Sequence, residues 1–259
     1  MLTRSAAERH DRRMLRRLRK SLAWRALPWA DLTLNLPTGI SFPIRTRQEA
    51  RLVQEILLAE SYRPLIEAIE PPRTLVDLGC NAGFFTLFAE HLRRCRRAAD
   101  SPPARGLLVD ANPDCLARCR SALAFNHLDA HCEILEGLIG PPGEALAFHV
   151  SKADGHSSVF HRYCPRRTVR RASLDLDAEI AQRFPEGVDL MKADLEGGEK
   201  FLIEHWPHTL RRCRAIILEW HRFALEESAL ERRMDELGFV RRLKRQENDH
   251  QATALYTAI

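Results

Sequence analysis

The period of the apolar positions changes repeatedly along the chain, and each change marks an element. Thr74 to Leu78 and Gly106 to Asp110 are short apolar runs carrying an acid at or near the end, the pattern of buried strands. Between them, Phe84 to Arg94 has helical spacing, and Asn112-Pro113 opens a second helix that runs to Phe125. Upstream, Leu52, Val53, Ile56, Leu57 and Leu65 predict a helix over 49–69, broken near Ser61. A third strand is expected over about 132–138, closing near Glu136, Gly137 and Gly140. Residues 145–151, 157–161 and 168–172 read as short strands around an Asp154-Gly155 turn, an insertion before the fourth main strand. Leu190 and Met191 then lead into a cluster of charges, and Ala215 to Leu218 lead into Glu219 and His221. Gly238 to Val240 and Ala252 to Ala258 supply a terminal antiparallel pair. Alternating strands and helices of this kind build an α/β domain with a largely parallel sheet.

The sharpest local signal is Asp77-Leu78-Gly79-Cys80-Asn81-Ala82-Gly83-Phe84, where a strand runs through a small-residue turn into a helix. That order makes a nucleotide-sized notch at the carboxyl end of a parallel strand. Gly79 and Gly83 let the backbone turn tightly and approach a ligand. The D-x-G-x-N-x-G spacing is neither the dinucleotide fingerprint nor a phosphate loop. An acid ahead of the glycines suits a cationic or amine-bearing ligand better than a pyrophosphate, and S-adenosylmethionine fits that description. Asp110 ends the next strand, where an acid accepts hydrogen bonds from ribose hydroxyls.

Two later segments, Lys192-Ala193-Asp194-Leu195-Glu196-Gly197-Gly198-Glu199 and Ile216-Ile217-Leu218-Glu219, complete a set. Together with the glycine turn they resemble the FkbM family of S-adenosylmethionine-dependent methyltransferases over roughly residues 50–259. Asp110 and Ala111 stand where that family more often has Glu and Pro. The resemblance implies a Rossmann-like, seven-stranded, mostly parallel sheet with helices on both faces and a terminal antiparallel strand. It also implies S-adenosylmethionine as cofactor, held by Asp77, Gly79, Asn81, Gly83, Phe84, Asp110 and Asn112, with Glu136 near the adenine edge. A hydroxyl on a small molecule or sugar is the implied methyl acceptor. Asp194, Glu196, Glu219 and His221 lie at or just past adjacent strand ends and are the catalytic candidates. His221 has the ordinary pKa best suited to a base at neutral pH, and Asp194 could serve if crowding raised its pKa. Lys192 is read as an ion-pair partner. For Glu199, an exposed first-turn helix acid and a functional residue are equally open.

Charge divides the chain unevenly. Residues 1–25 hold nine basic and two acidic residues, a net +7, which leaves the remainder at −2 within the overall +5. Leu15, Leu18 and Leu22 share a helical face, so residues 1–45 read as a basic helical arm ahead of a catalytic domain over 46–259. Such an arm packs its leucines on the domain or touches nucleic acid or acidic lipid. A nucleic-acid methyltransferase is the less favoured alternative. The Asn/Asp-Pro-Pro-aromatic motif of amino-directed base methylation is missing, and Cys164-Pro165 reverses the Pro-Cys order of cytosine C5 enzymes. A non-catalytic cofactor-binding partner protein is disfavoured by the presence of both Asp77 and Asp110. No apolar run is long enough to span a membrane, and the Arg-rich start lacks the apolar core of a secretory signal. Seven cysteines without paired spacing point to neither disulfides nor a metal site, so a reduced, cytoplasmic protein is expected.

Overall fold

A computed structural model describes residues 32–97, 101–151, 157–160, 165–246 and 248–259. The expected arm helix, with Leu15, Leu18 and Leu22, lies outside the described residues, as do Arg162 and Cys164.

The centre is a seven-stranded sheet. Its parallel strands are β3 (Thr74–Leu78), β4 (Arg105–Asp110), β5 (Cys132–Glu136), β8 (Val188–Ala193) and β9 (Cys213–His221). Strands β10 (Phe239–Gln246) and β11 (Gln251–Ala258) add the antiparallel edge, giving the order β10-β11-β9-β8-β3-β4-β5. This is the largely parallel α/β sheet that the alternating pattern predicts, in the Rossmann-like form that the family resemblance implies.

Side-chain alternation decides what each face buries. Leu75, Leu108, Leu190, Ile217 and Leu255 point to one side, under α3 (Phe84–Arg96) and α4 (Pro113–Phe125). Val76, Leu107, Val109, Met191, Ile216 and Leu218 point to the other. That second layer contains α5 (Leu176–Arg183), α6 (Glu199–His205), α7 (Pro207–Arg211) and α8 (Glu227–Glu236). Covering both faces is why these strands read as near-continuous apolar runs.

The helix expected over 49–69 comprises three pieces. Thr46 caps α1 (Arg47–Val53) in a capping box with Glu49. A π-helical turn, Gln54–Leu58, follows, and α2 (Arg63–Glu67) begins after the break around Ser61. Strand β5 stops at Glu136 rather than 138: its partner β4 ends at Asp110, whose carbonyl accepts from the Gly137 N–H, and Leu138 bridges Ser173 instead.

Two hairpins flank the sheet. The expected insertion contains β6 (Ala145–Ser151) paired with β7 (Pro165–Ala172), around a small core that includes Phe148 and Val150. Of the expected strand over 157–161, residues 157–160 are described, and among them Ser158 forms a bridge with His149. The other hairpin, β1 (Leu32–Asn35) with β2 (Ser41–Ile44), falls in the stretch assigned to the arm. Ile40 and Phe42 are fully buried, and the Phe42 ring meets Phe84 edge-on at 5.3 Å. The packed body therefore already includes Leu32–Ile44, ahead of the boundary expected at residue 46.

Candidate active site

The carboxyl ends of β3, β4, β8 and β9 open onto a cavity of about 250 Å³. One side is built from the glycine turn and the β4 tip. The Gly79 and Cys80 N–H groups both donate to the Val109 carbonyl, at 2.9 and 3.0 Å, which ties the turn to the neighbouring strand. Asn81 sits at φ 49°, and its N–H donates to Asp110 Oδ2 at 2.9 Å. The other Asp110 oxygen accepts from the Asn112 N–H at 2.8 Å. Asp110 thus clamps two loops while facing the cavity, and desolvation there raises its pKa against the pull of those N–H groups and Lys192. Asn81 Oδ1 and Asn112 Nδ2 are buried without a hydrogen-bond partner, and both residues line the cavity. Buried amide atoms of this kind cost about 1–3 kcal/mol each unless something polar meets them, so a hydroxyl-rich, nitrogen-bearing ligand fits this wall.

Of the cofactor candidates, Gly79, Asn81, Phe84, Asp110 and Asn112 line the cavity, while Asp77, Gly83 and Glu136 do not. A Cβ on Gly79 would stand 1.8 Å from the Asp194 carbonyl oxygen, and one on Gly83 would stand 2.8 Å from Cys119 Sγ. Both positions require glycine because protein, rather than ligand, occupies the space; both φ angles are also positive, at 73° and 75°. Asp77 is fully buried beneath the turn and does not line the cavity. It accepts from Thr86 Oγ1 at 2.8 Å and lies 3.5 Å from Lys192 Nζ, which itself donates to the Gly79 carbonyl at 2.8 Å. Its reach to a ligand is therefore indirect, through Lys192 and the turn. Glu136 is exposed, ion-paired with Arg171 at 2.7 Å, and away from the cavity, which Gly137, Leu138 and Ile139 line instead. Phe84 does line it.

Carboxylates dominate the opposite side. Asp194, Glu196 and Glu219 all face the cavity. Glu219 accepts from Tyr62 Oη at 2.9 Å, Gln251 Nε2 at 2.8 Å and Thr253 Oγ1 at 3.4 Å. Lys192 Nζ lies 3.7 Å from Asp194 Oδ2. Burial works against the Lys192 ammonium, but Asp77, Asp194 and Glu219 outweigh it and raise its pKa, so it stays charged.

His221 is buried just behind this wall rather than on it. Its Nδ1 is 3.3 Å from Glu199 Oε1 and its Nε2 is 3.4 Å from Glu196 Oε2. Burial lowers its pKa, but Glu199, Asp194 and Glu196 together push it up to about 9. At neutral pH the ring is an imidazolium, so the expectation that His221 is poised as a base is corrected. Glu199 is fully buried rather than an exposed helix acid. It accepts from the Leu195 N–H at 2.6 Å and the Gly197 N–H at 2.9 Å, and so fixes the turn in which Glu196 is held at φ 52°.

Tyr62, Gln251, Lys192 and Glu55 line the cavity without having been singled out as site residues by the sequence. Tyr62 and Gln251 come from distant segments, and their contacts with Glu219 bring them together. Cys115 and Cys119, one helical turn apart, are both buried on α4. Ligand atoms of Asp194, Glu219 and His221 fall within 4.8 Å of one another, a span that could hold a cation.

The family model for the FkbM methyltransferase domain matches residues 77–249, more than half of the chain. The chain belongs to the FkbM methyltransferase family. That match runs from the acid of the glycine turn to beyond β10; it takes in Asn81, Asp110, Asn112, Asp194 and Glu219 but leaves out the lining residues Glu55, Tyr62 and Gln251. No curated protein matches this FkbM-family chain significantly. Solved structures of similar shape include an O-methyltransferase from Bacillus cereus in complex with SAH, with 13% identity, 96% of this chain and 91% of that chain covered, and a TM-score of 0.45. A fibrillarin pre-rRNA processing protein from Methanococcus jannaschii has 10% identity, coverage of 89% and 83%, and a TM-score of 0.49. A ribosomal protein L11 methylase from Lactobacillus delbrueckii subsp. bulgaricus has 12% identity, coverage of 77% on both sides, and a TM-score of 0.47. Among the described residues, no helix is long and apolar enough to cross a membrane.

Proposed function

We propose that this FkbM-family chain binds S-adenosylmethionine in the cavity and methylates a hydroxyl oxygen of a small molecule or sugar. The observation that carries the reading is the division of the cavity into two chemically distinct walls. One has Asp110, Asn81 and Asn112 presenting a carboxylate and two unpaired buried amide atoms. The other has Asp194 and Glu219 at the tips of β8 and β9.

In this reading Asp110 takes the ribose hydroxyls, Asn81 and Asn112 take polar atoms of the same ligand, and Leu138 and Ile139 flank the adenine. Asp77 and Gly83 act indirectly by holding the turn, and Glu136 has no direct contact. S-adenosylmethionine supplies an electrophilic methyl group on a sulfonium. The chain supplies orientation and a proton acceptor, since an alcohol is a competent nucleophile only as its proton leaves. Asp194 takes that proton: it is half-buried, faces the cavity and lies 3.7 Å from the Lys192 ammonium. Glu219, gripped by Tyr62, Gln251 and Thr253, orients the acceptor. Glu196 is steered by the His221 imidazolium, which Glu199 anchors in turn.

Calorimetry with S-adenosylmethionine and S-adenosylhomocysteine tests the first step, on wild type and Asp110→Ala. Micromolar binding by wild type that Asp110→Ala loses is the expected result. Absence of binding by folded wild-type protein would remove the methyl-transfer reading. Transfer of a labelled methyl group then tests the second step: Asp194→Asn should lower turnover by about 10²–10⁴-fold, the usual contribution of a positioned base, while cofactor affinity stays within a few-fold.

A further inference from the structure

Among the described residues, the cations that line the cavity are Arg51 and Lys192. Arg51 is exposed on α1, where solvent screens it. Lys192 is only 4% exposed and stays charged, because Asp77, Asp194 and Glu219 outweigh the cost of its burial. Its head sits where the two walls meet. Nζ donates to the Gly79 carbonyl at 2.8 Å, on the same turn that presents Asn81, and lies 3.7 Å from Asp194 Oδ2. The Phe85 ring, its centre 6.0 Å from Nζ, flanks the ammonium and lines the same cavity. An ammonium has three N–H donors, and the Gly79 carbonyl engages one of them at full strength. The contacts to Asp77 Oδ1 at 3.5 Å and to Asp194 are longer than the about 2.7–2.9 Å of a charge-assisted bond. Lys192 is therefore a fixed, buried charge at the cavity with donor capacity left over.

We infer that Lys192 receives the carboxylate of the cofactor's amino-acid tail and makes that carboxylate a requirement for tight binding. The inference rests on the methyl-transfer reading of the same cavity. In that reading the ribose lies at Asp110 and the methyl group points toward Asp194. The tail leaving the sulfur then runs along the seam between the glycine turn and β8, where Lys192 stands. A carboxylate taken out of water needs strong donors or an opposite charge. Asp110 on one wall and Asp194 on the other repel an anion, and Lys192 supplies the attraction. The tail's own ammonium, beside its carboxylate, offsets the charge of Asp194. A tail of paired opposite charges thus meets a wall of paired opposite charges, Lys192 and Asp194, 3.7 Å apart. Oδ2 is the Asp194 oxygen turned to Lys192, which leaves Oδ1 for the acceptor's proton. The N–H groups that open α3 are the other anion-binding feature at the turn. They offer partial charges where Lys192 offers a full one.

Three adenosine thioethers that differ in the tail test the inference: S-adenosylhomocysteine, its decarboxylated analogue, and 5′-methylthioadenosine, which has no amino-acid tail. Each is titrated calorimetrically into the full-length protein, as wild type, Lys192→Met and Arg51→Gln. Wild type should bind S-adenosylhomocysteine at least about tenfold tighter than the decarboxylated analogue, the usual worth of a hydrogen bond to a charged group. Lys192→Met should bring that ratio to within about threefold of unity, with 5′-methylthioadenosine affinity changed no more than a few-fold. Arg51→Gln should leave the ratio as it is. Lys192→Met also strips buried Asp77 of its cation, so the double variant Asp77→Asn with Lys192→Met takes its place if the single one does not fold. A ratio that survives the loss of Lys192 overturns the inference and gives the carboxylate to the N–H groups of α3. A ratio lost in Arg51→Gln instead overturns it in favour of that arginine. Equal weakening of all three ligands by Lys192→Met overturns it as well, since Lys192 would then only support the turn. Wild type that binds all three thioethers equally keeps the cofactor reading and drops the inference alone. Folded wild type that binds none of them removes the methyl-transfer reading, and the inference with it.

Discussion

At the scale of single residues, the site is organised by groups whose charge state the tertiary structure sets. His221 is the clearest case. Its folded pKa of about 9 lies above the ordinary 6.5, so protonation favours the folded state. The resulting stability is fully present below about 6.5 and is lost as pH rises through about 9. Relative to His221→Gln, wild type should therefore be more stable at pH 6 by an amount on the order of 3 kcal/mol. Urea denaturation at pH 6, 8 and 10 should show that difference shrink; a constant difference would mean that folding does not raise the pKa of the ring. Gly79 illustrates a different residue-scale constraint. Gly79→Ala introduces both a left-handed alanine and a Cβ against the Asp194 carbonyl. A loss of more than about 2 kcal/mol is expected from the two effects together, read from the same denaturation curves.

Among the elements, the α1–π–α2 segment supplies lining residues such as Arg51, Glu55 and Ile56, with Tyr62 just before α2, outside the FkbM-matched region, and the β1–β2 hairpin packs behind the site. Phe42 sits against Phe84, the first residue of α3 and itself a lining residue of the cavity. Phe42→Ala should cost about 3–5 kcal/mol, as truncation of a fully buried aromatic does, and should weaken S-adenosylhomocysteine binding through Phe84. Unchanged affinity in a destabilised variant would separate the hairpin from the site. The hairpin was legible in principle: Leu34, Leu36, Ile40 and Phe42 alternate around Pro37-Thr38-Gly39, a turn signal. Its proximity to an arginine-rich stretch drew it into the arm. The elements from β3 to α4 were easier to read, since strand-length apolar runs, Asn112 as cap and Pro113 at the helix start are local signals. The Gln54–Leu58 π-turn was not readable, because one extra residue per turn leaves no mark in a short apolar pattern.

For the whole molecule, the division of charge makes the relevant prediction. Residues 1–25 carry +7 and the rest −2. Any nucleic-acid affinity of the full chain should therefore fall steeply with salt and vanish when residues 1–25 are removed, in a filter-binding titration. Affinity that survives the truncation with the same salt slope would place a phosphate-binding surface on the body.

The sequence by itself determined the α/β class, the strand order of chemistry from Asp77 through Asp110 to Asp194 and Glu219, and membership of the FkbM family. Each of these rests on local periodicity or on residues close together in the chain, where propensity and spacing act directly. Only the tertiary structure decided which of those residues face the cavity. Asp77 and His221 turned out to be buried supports, Gly79 and Gly83 make room for Asp194 and Cys119, and Tyr62 and Gln251 join the site through Glu219. Those roles depend on contacts between segments from about 20 to about 160 residues apart. A hydrogen bond or a pKa at such a contact is set by the depth and neighbours of the final packing, and no spacing within the chain encodes either.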